Sequence, residues 1–95
     1  FPIKYDHKVL EISKKKFTDA LIKEGIPLGW HYGCLVSNWK WAKKYLSDKF
    51  ISRNAISTRD TCFHLYLNEN YGLKEAIDII NSIKKIENYY LNEKK

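Results

Sequence analysis

Glu24-Gly25-Ile26-Pro27-Leu28-Gly29-Trp30-His31-Tyr32 marks the point at which helical periodicity gives way to strand periodicity. Gly25 follows an amphipathic segment, at the position of a left-handed helix cap, a conformation that glycine adopts without steric cost. From Ile26 to Tyr32 every second residue is apolar, which predicts a strand with one apolar face. Because Pro27 has no N–H group, this strand should lie at a sheet edge or pair only beyond Pro27.

Two elements are predicted upstream of this stretch. The alternation of apolar residues over Phe1–Tyr5 indicates a first strand, and Ser13 is a suitable N-cap for the helix that ends at Gly25. An apolar stripe on that helix comprises Phe17, Ala20 and Leu21 and should pack against a sheet. The other faces of the helix, which we expect to be solvated, carry Lys14, Lys15, Lys16, Asp19 and Lys23.

The segment from Trp39 to Leu46 predicts a second helix, capped by Ser37 or Asn38. In a helix, two apolar faces would result, one formed by Trp39, Ala42 and Leu46 and the other by Trp41 and Tyr45. So short a helix with two apolar faces should be covered on both sides, or one side should contact a partner.

The remaining segments complete an α+β pattern. Asn54–Asp60 predicts one or two helical turns, and Cys62–Leu67 predicts an interior strand because both of its faces are largely apolar. After a turn at Asn68–Gly72, apolar residues at steps of three and four predict a helix over Leu73–Ile86, which Asn88-Tyr89-Tyr90 could extend. The expected fold is one small domain, residues 1–95, with a three-stranded sheet and helices packed on one face.

Composition narrows the classes of function. The chain has 95 residues and a net charge of +6, which would suit a nucleic-acid or anionic-membrane partner. Solvated lysines on helix exteriors and at the C-terminus are the stronger explanation of this charge, so nucleic-acid binding is the less favoured interpretation. With no signal-peptide pattern and no apolar stretch near the length needed to span a bilayer, we expect a cytoplasmic protein without membrane contact.

The chain contains no methionine and begins at Phe1-Pro2-Ile3, inside a predicted strand. We therefore expect a piece of a larger protein; the alternative is a complete small protein whose initiator was removed. Two cysteines, Cys34 and Cys62, allow one disulfide at most, and without an export signal free thiols are expected. Neither the cysteines nor the three histidines have ligand spacing, so no metal site is predicted.

His31 is the first candidate for chemistry, since it lies at a strand end between Trp30 and Tyr32. It could contact a ligand or act as a general acid or base, or it could simply be bonded to backbone or water. Arg53 and Arg59 could bind phosphate or carboxylate, although surface ion pairs with Asp60 or Asp48 are favoured. Cys34 lies near His31 in sequence, but no nucleophile–base pattern and no glycine-rich phosphate loop is present. Taken alone, these residues predict a non-catalytic domain with a pocket rim.

Several stretches together resemble the C-terminal domain of the DegT-type sugar aminotransferases, pyridoxal-phosphate enzymes of the aspartate-aminotransferase fold. The stretches are Phe1-Pro2-Ile3, the helix end with Glu24-Gly25-Ile26-Pro27, and His31-Tyr32. Asn54-Ala55 through Leu67 is similar to the segment that enters the family's late strand, and Leu73–Ile86 is similar to its closing helix. The resemblance covers essentially the whole chain.

The resemblance implies the small C-terminal domain of a fold-type I enzyme that transfers an amino group from glutamate or glutamine to a keto sugar, expected to be nucleotide-linked. In that family a large N-terminal domain carries the Schiff-base lysine and the pyridoxal-phosphate site, so this fragment should bind no cofactor, supply no catalytic residue and be inactive alone. Its implied partners are that large domain, the sugar substrate and, through the full-length protein, a second copy in a homodimer.

The substrate-side residues that the resemblance and the arginine pattern nominate are Trp30, His31, Tyr32 and Arg59. Where family members continue after His-Tyr with prolines and another histidine, this chain has Gly33-Cys34-Leu35-Val36, which leaves open a related reaction such as dehydration. Two other classes of protein remain as alternatives. One is a small basic α+β module that binds nucleic acid or another polyanion, and the other is a complete interaction protein that dimerises through its tryptophan helix.

Overall fold

The computed structural model describes residues 1–33, 35–47 and 50–93. In chain order its elements are the strand β1 (Pro2–Lys4), the helices α1 (His7–Leu10) and α2 (Lys14–Lys23), the strand β2 (Leu28–Gly29), the helix α3 (Arg53–Thr61), the strand β3 (Cys62–Leu65) and the helix α4 (Leu73–Glu93). Two 3₁₀ turns, Val36–Asn38 and Lys43–Tyr45, lie between β2 and α3. The predictions that involve Cys34, Asp48 and the end of the basic tail lie outside the described residues.

The described residues form a small α+β fold with a three-stranded sheet, as predicted, and both strand pairs are antiparallel. The strand order is β1-β3-β2, so the strand predicted to be interior is the central one. Ile3 faces Phe63 across the β1–β3 pair, and Leu28 faces Leu65 across the β2–β3 pair. The edge strand β2 begins at Leu28, directly after Pro27. The Pro27 carbonyl accepts from Tyr66 N at 3.3 Å, but Pro27 has no N–H to return a second bond, so regular pairing starts beyond it, as predicted.

Both predicted ends of α2 are confirmed. Ser13 is the N-cap, and its hydroxyl accepts a hydrogen bond from the N–H of Lys16. At the other end, Gly25 has φ +90° and no neighbouring atom within 4 Å of an added Cβ, so backbone conformation alone selects glycine there. The chain then returns to the sheet, with Ile26 N donating to the carbonyl of Leu21.

The hydrophobic core lies where three helices meet the sheet. Phe17 and Leu21 of α2, Leu10 of α1 and Ile86 of α4 pack with Phe63 of β3. Phe17 stacks on Tyr5 with ring centroids 5.0 Å apart. The apolar stripe predicted for α2 is therefore confirmed, and burial of such a stripe is the main source of helix stability in a domain of this size.

The strand predicted over Ile26–Tyr32 is shorter than expected: β2 ends at Gly29, and Trp30 and Tyr32 are exposed. If the observed register continued, Trp30 would lie opposite Phe63, and the next hydrogen-bonded pair would be His31 with Cys62. Both main-chain groups of Cys62 are already engaged, because its N–H donates to Thr58 O at the end of α3 and its carbonyl accepts from Lys14 Nζ. The sheet ladder therefore stops, and the apolar alternation beyond Leu28 does not mark a buried face.

The prediction of a helix over Trp39–Leu46 is wrong, since only the 3₁₀ turn Lys43–Tyr45 forms in this segment. An isolated helix of about eight residues is unstable unless one face packs against the protein. Here Ala42 is buried, whereas Trp39, Trp41 and Tyr45 are exposed. Without a packed face, tight turns replace the helix, and the segment displays its aromatic rings on the surface.

The predicted C-terminal helix is confirmed and runs on through the tyrosine pair, but it buries less than its pattern suggests. Ile86 is buried and Ile83 packs against the core, whereas Leu73, Ile77 and Ile80 nearer the N-terminal end are exposed. No helix within the described ranges is both long and apolar enough to cross a membrane.

Candidate functional site

An open groove of about 920 Å³ lies between the two 3₁₀ turns, the helix α3 and the loop that follows β2. Apolar and aromatic side chains dominate its lining, and a few polar groups lie among them. The lining residues are Tyr32, Leu35, Val36, Ser37, Trp41, Ala42, Tyr45, Leu46, Phe50, Ser52, Asn54, Ala55, Thr58, Arg59 and His64. We call this feature the aromatic groove. An apolar cleft with a few polar groups is the usual form of a small-molecule or protein-docking site.

Tyr32 and His64 form one wall of the aromatic groove, with ring centroids 5.8 Å apart. The sheet brings them together, because Gly29 pairs with His64 and places the loop after β2 beside the outer face of β3. His64 is half-buried there, in agreement with the prediction that it contributes one face of a strand.

Arg59 also lines the aromatic groove, from the last turn of α3. Its Nε lies 3.1 Å from Oδ1 of Asp60, which confirms the favoured interpretation of a local ion pair. A guanidinium has five N–H donors, and the pair with Asp60 uses the one on Nε. Arg59 can thus bind an anionic group while it remains paired with Asp60. Arg53, in contrast, is exposed at the first turn of α3 and does not line the groove.

Lys14 was expected on a solvated helix face, but it is buried. Only 8% of this residue is exposed, and its ammonium makes three hydrogen bonds. Nζ lies 2.8 Å from Arg59 O, 2.9 Å from Cys62 O and 3.2 Å from Nδ1 of His31. Arg59 O is one of the terminal carbonyls of α3 that lack a partner within the helix, so Lys14 caps α3 from a neighbouring helix.

His31 was expected at the rim of an open pocket, but it does not line the aromatic groove. Its ring stacks on Trp30 at 4.5 Å between centroids, and its Nδ1 faces the Lys14 ammonium. Burial, together with the positive charges of Lys14 and Arg59, lowers the pKa of His31 below its ordinary value. Neither of the two roles considered from the sequence, a ligand contact or a bond to backbone or water, anticipated a lysine partner.

Trp30 completes this second cluster, which we call the Lys14 cluster and define as Lys14, Trp30 and His31. The ammonium groups of Lys14 and Lys15 lie 5.4 Å and 5.3 Å from the centroid of the Trp30 ring, within cation–π range. Of the four residues nominated from the sequence, Tyr32 and Arg59 line the aromatic groove, whereas Trp30 and His31 belong to the Lys14 cluster.

The burial of Lys14 could have been predicted from its spacing to the apolar residues of α2. Lys14 precedes Phe17, Thr18 and Leu21 by three, four and seven residues, so it shares their helix face. All three of those residues are buried. A lysine at the start of a buried stripe should be expected to bring its amine to carbonyls at the end of a neighbouring element.

Cys62 is half-buried and carries a free thiol. Among the side chains that the structure describes, no group of three or more histidine, cysteine, aspartate or glutamate residues is arranged to hold a metal ion.

Comparison of the chain with protein-family models, with curated proteins and with solved structures finds no match. The resemblance to the sugar aminotransferases therefore rests on the stretches quoted above and is carried forward as a proposal.

Proposed function

We propose that this chain is the small C-terminal domain of a DegT-type, pyridoxal-phosphate-dependent aminotransferase of fold type I. In this proposal the enzyme transfers an amino group from glutamate or glutamine to a nucleotide-linked keto sugar. The observation that carries the proposal is the position of Tyr32 and Arg59. Tyr32 ends the stretch that resembles the family, and it lines the same apolar groove as Arg59.

In this proposal the aromatic groove forms the sugar side of a substrate cleft. Arg59 would bind a phosphate of the nucleotide or a carboxylate of the amino donor, since guanidinium groups match both geometries. The Tyr32 hydroxyl would donate to, or accept from, a sugar hydroxyl group. These two side chains bind and orient the substrate, and the transfer itself takes place elsewhere in the enzyme.

The described lining of the aromatic groove does not fit a pyridoxal-phosphate site. Such a site needs a lysine whose amine can bond to the cofactor, and none of the lysines described in residues 1–33, 35–47 and 50–93 lines the aromatic groove. The buried lysine, Lys14, has its N–H donors engaged by two carbonyls and His31. The proposal accordingly assigns the cofactor, which supplies the amino-transfer chemistry, to a separate large domain.

The exposed aromatic residues support a large-domain partner. Trp41 is 58% exposed and Tyr45 is 73% exposed, and both line the groove together with Phe50. A contiguous apolar surface of this kind is typical of protein interfaces. We propose that the cofactor-bearing domain covers part of the groove and leaves the rest as the substrate cleft of a homodimeric enzyme.

Substitution of Arg59 in the enzyme that contains this chain tests the proposed role. Arg59→Met should lower kcat/KM for the keto sugar by roughly 10- to 100-fold, because a charge-assisted hydrogen bond is lost. Arg53→Met, which removes an exposed arginine from the same helix, is the matched control and should leave kcat/KM unchanged. Equal losses in the two variants would contradict the proposed site.

A second pair of variants tests Tyr32 in the same enzyme. Tyr32→Ala should raise KM for the sugar several-fold, whereas Tyr89→Ala should have no such effect. The two tyrosines are similarly exposed, at 55% and 58%, but Tyr89 lies near the far end of α4. An unchanged KM in Tyr32→Ala would show that Tyr32 does not bind the substrate.

The alternative of a polyanion-binding module receives less support. Two of the three consecutive lysines are already engaged: Lys14 is buried, and Lys15 forms an ion pair with Asp19 at 3.2 Å. Binding of this chain to a nucleic acid with a steep dependence on salt concentration would favour the alternative.

A further inference from the structure

The three acceptors around the Lys14 ammonium match its number of N–H donors. An ammonium group has three donors and no acceptor, and here it faces the carbonyls of Arg59 and Cys62 and Nδ1 of His31. Carbonyl oxygens only accept, so two of the three hydrogen bonds have a fixed direction. The direction of the third bond, between Lys14 and His31, depends on which of the two side chains carries the shared proton.

Two arrangements of that proton are chemically consistent. Either Lys14 is charged and donates to an unprotonated Nδ1, or Lys14 is neutral and accepts a hydrogen bond from a protonated Nδ1. A lysine amine is ordinarily more basic than an imidazole by about four pK units. Burial lowers the pKa of Lys14, and burial together with the positive charge of Lys14 lowers the pKa of His31. The proton therefore belongs to Lys14.

We propose that Lys14 is a positioning residue that fixes His31 as a neutral imidazole with its proton on Nε2. The two carbonyls hold the ammonium in place, and Trp30 holds the imidazole ring by stacking on it. Within the described residues, Nε2 has no hydrogen-bond partner. His31 is therefore a hydrogen-bond donor at Nε2 and has no free lone pair with which to act as a general base.

This assignment defines what His31 can bind. A single Nε2–H donor recognises an oxygen acceptor, such as a hydroxyl, carbonyl or phosphate oxygen, and does not pair with a ligand group that can only donate. The charged groups that act on His31 are Lys14 from α2 and Arg59 and Asp60 from α3, and the two cations disfavour a second proton on the ring.

The tautomer can be measured on the unmodified chain by nitrogen-15 NMR of its three histidines, without cofactor or substrate. The His31 signals are assigned by comparison with the variants His7→Gln and His64→Gln, both of which keep the Lys14 cluster intact. We expect a pyridine-type Nδ1 and a pyrrole-type Nε2 at pH 7, with the Nε2–H form exceeding the Nδ1–H form by at least about tenfold. A protonated Nδ1 on His31 would overturn the proposal.

A variant pair separates positioning from general stability. Lys14→Met should release His31, so that its tautomer ratio shifts toward that of an ordinary imidazole and its pKa rises. Lys15→Met also removes a cation near Trp30 but leaves the Lys14 hydrogen bonds in place, and it should keep the Nε2–H form. Should Lys14→Met prevent folding, the measurement on the unmodified chain still decides the question. The aminotransferase proposal is tested separately by activity, so either proposal can fail without the other.

Discussion

Lys14 connects the first turn of α2 to the end of α3, and this contact has a measurable effect on stability. Replacing it by methionine keeps an aliphatic side chain but leaves the carbonyls of Arg59 and Cys62 without their donor. An unsatisfied buried acceptor costs about 1–3 kcal/mol, so the loss of the donor to both carbonyls in Lys14→Met should lower the free energy of unfolding by about 2–6 kcal/mol. Urea unfolding followed by circular dichroism would measure the change.

Lys15→Met is the matched control for this prediction. Lys15 is the next residue of the same helix, and its ion pair with Asp19 is exposed. Such pairs contribute roughly 0–1 kcal/mol, so the control should change stability little. Similar losses in the two variants would show that Lys14 is not buried against the end of α3.

His31 should make stability depend on pH in a defined direction. Burial and the nearby cations lower the pKa of His31 in the folded chain below its ordinary 6.5, so the unfolded chain binds more protons just below that pH. Stability should therefore be highest above about pH 6.5 and fall as the pH drops through the folded-state pKa.

The variant His31→Gln should flatten this part of the pH profile, measured as the urea midpoint between pH 7 and pH 5. His7→Gln removes an exposed histidine from α1 and should keep the profile of the unmodified chain. A pH profile that is unchanged in His31→Gln would contradict the electrostatic account of the Lys14 cluster.

The sequence identified single residues well where a local rule decides their role. The Ser13 cap, Gly25 and the Arg59–Asp60 pair all follow from interactions within a few residues. The contact between Lys14 and His31 could not be predicted from the sequence, because 17 positions separate the two residues in the chain. Only the assembled contact of α2, α3 and β3 brings them together.

At the scale of elements, the C-terminal end of α2 depends on a single backbone conformation. Gly25→Ala should lower the free energy of unfolding by about 1 kcal/mol, because an alanine at φ +90° is strained although no neighbouring atom contacts it. Gly33→Ala is the matched control, since it too has open space around an added Cβ but does not adopt a positive φ. Thermal unfolding of both variants would test this. An unchanged free energy of unfolding in Gly25→Ala would contradict the role of Gly25 as a left-handed helix cap.

Long periodic segments were predicted well, and short aromatic ones were not. The helices α2 and α4 each have a sustained apolar stripe, and β3 is the central strand, with Phe63 and Leu65 buried on one face. The segment Trp39–Leu46 carries a helical pattern too, but a helix of this length needs a packed face, and among the described residues of the segment only Ala42 is buried. The length of β2 likewise depends on two distant residues. Lys14 donates to the carbonyl of Cys62, and the N–H of Cys62 donates to Thr58 O, so neither group pairs with β2.

The whole molecule is broader and flatter than a compact domain. Its extents are 47 × 39 × 18 Å and its radius of gyration is 16.5 Å. A compact chain of this length would have a radius of gyration of about 12 Å. This larger radius of gyration agrees with the exposed aromatic residues around the groove, because side chains on the broad face of a flat molecule stay accessible to solvent.

We expect the isolated chain to self-associate and to bind the dye ANS at this face. Trp41→Lys should reduce both effects by placing a charge in the aromatic groove. Tyr89→Lys is the matched control, because both side chains are 58% exposed and only Trp41 lines the groove. Sedimentation velocity and ANS fluorescence would measure the two effects. A strictly monomeric chain that does not bind ANS would contradict the account of an uncovered interface.

The most direct test of the central proposal is to read the coding sequence upstream of Phe1 and to assay the protein that it encodes. We expect an in-phase reading frame of some hundreds of codons, whose product binds pyridoxal phosphate and forms 2-oxoglutarate when given glutamate. A start codon immediately before Phe1, or a longer product that neither binds the cofactor nor consumes glutamate or glutamine, would contradict it. The aromatic groove would then have to be a binding site in its own right.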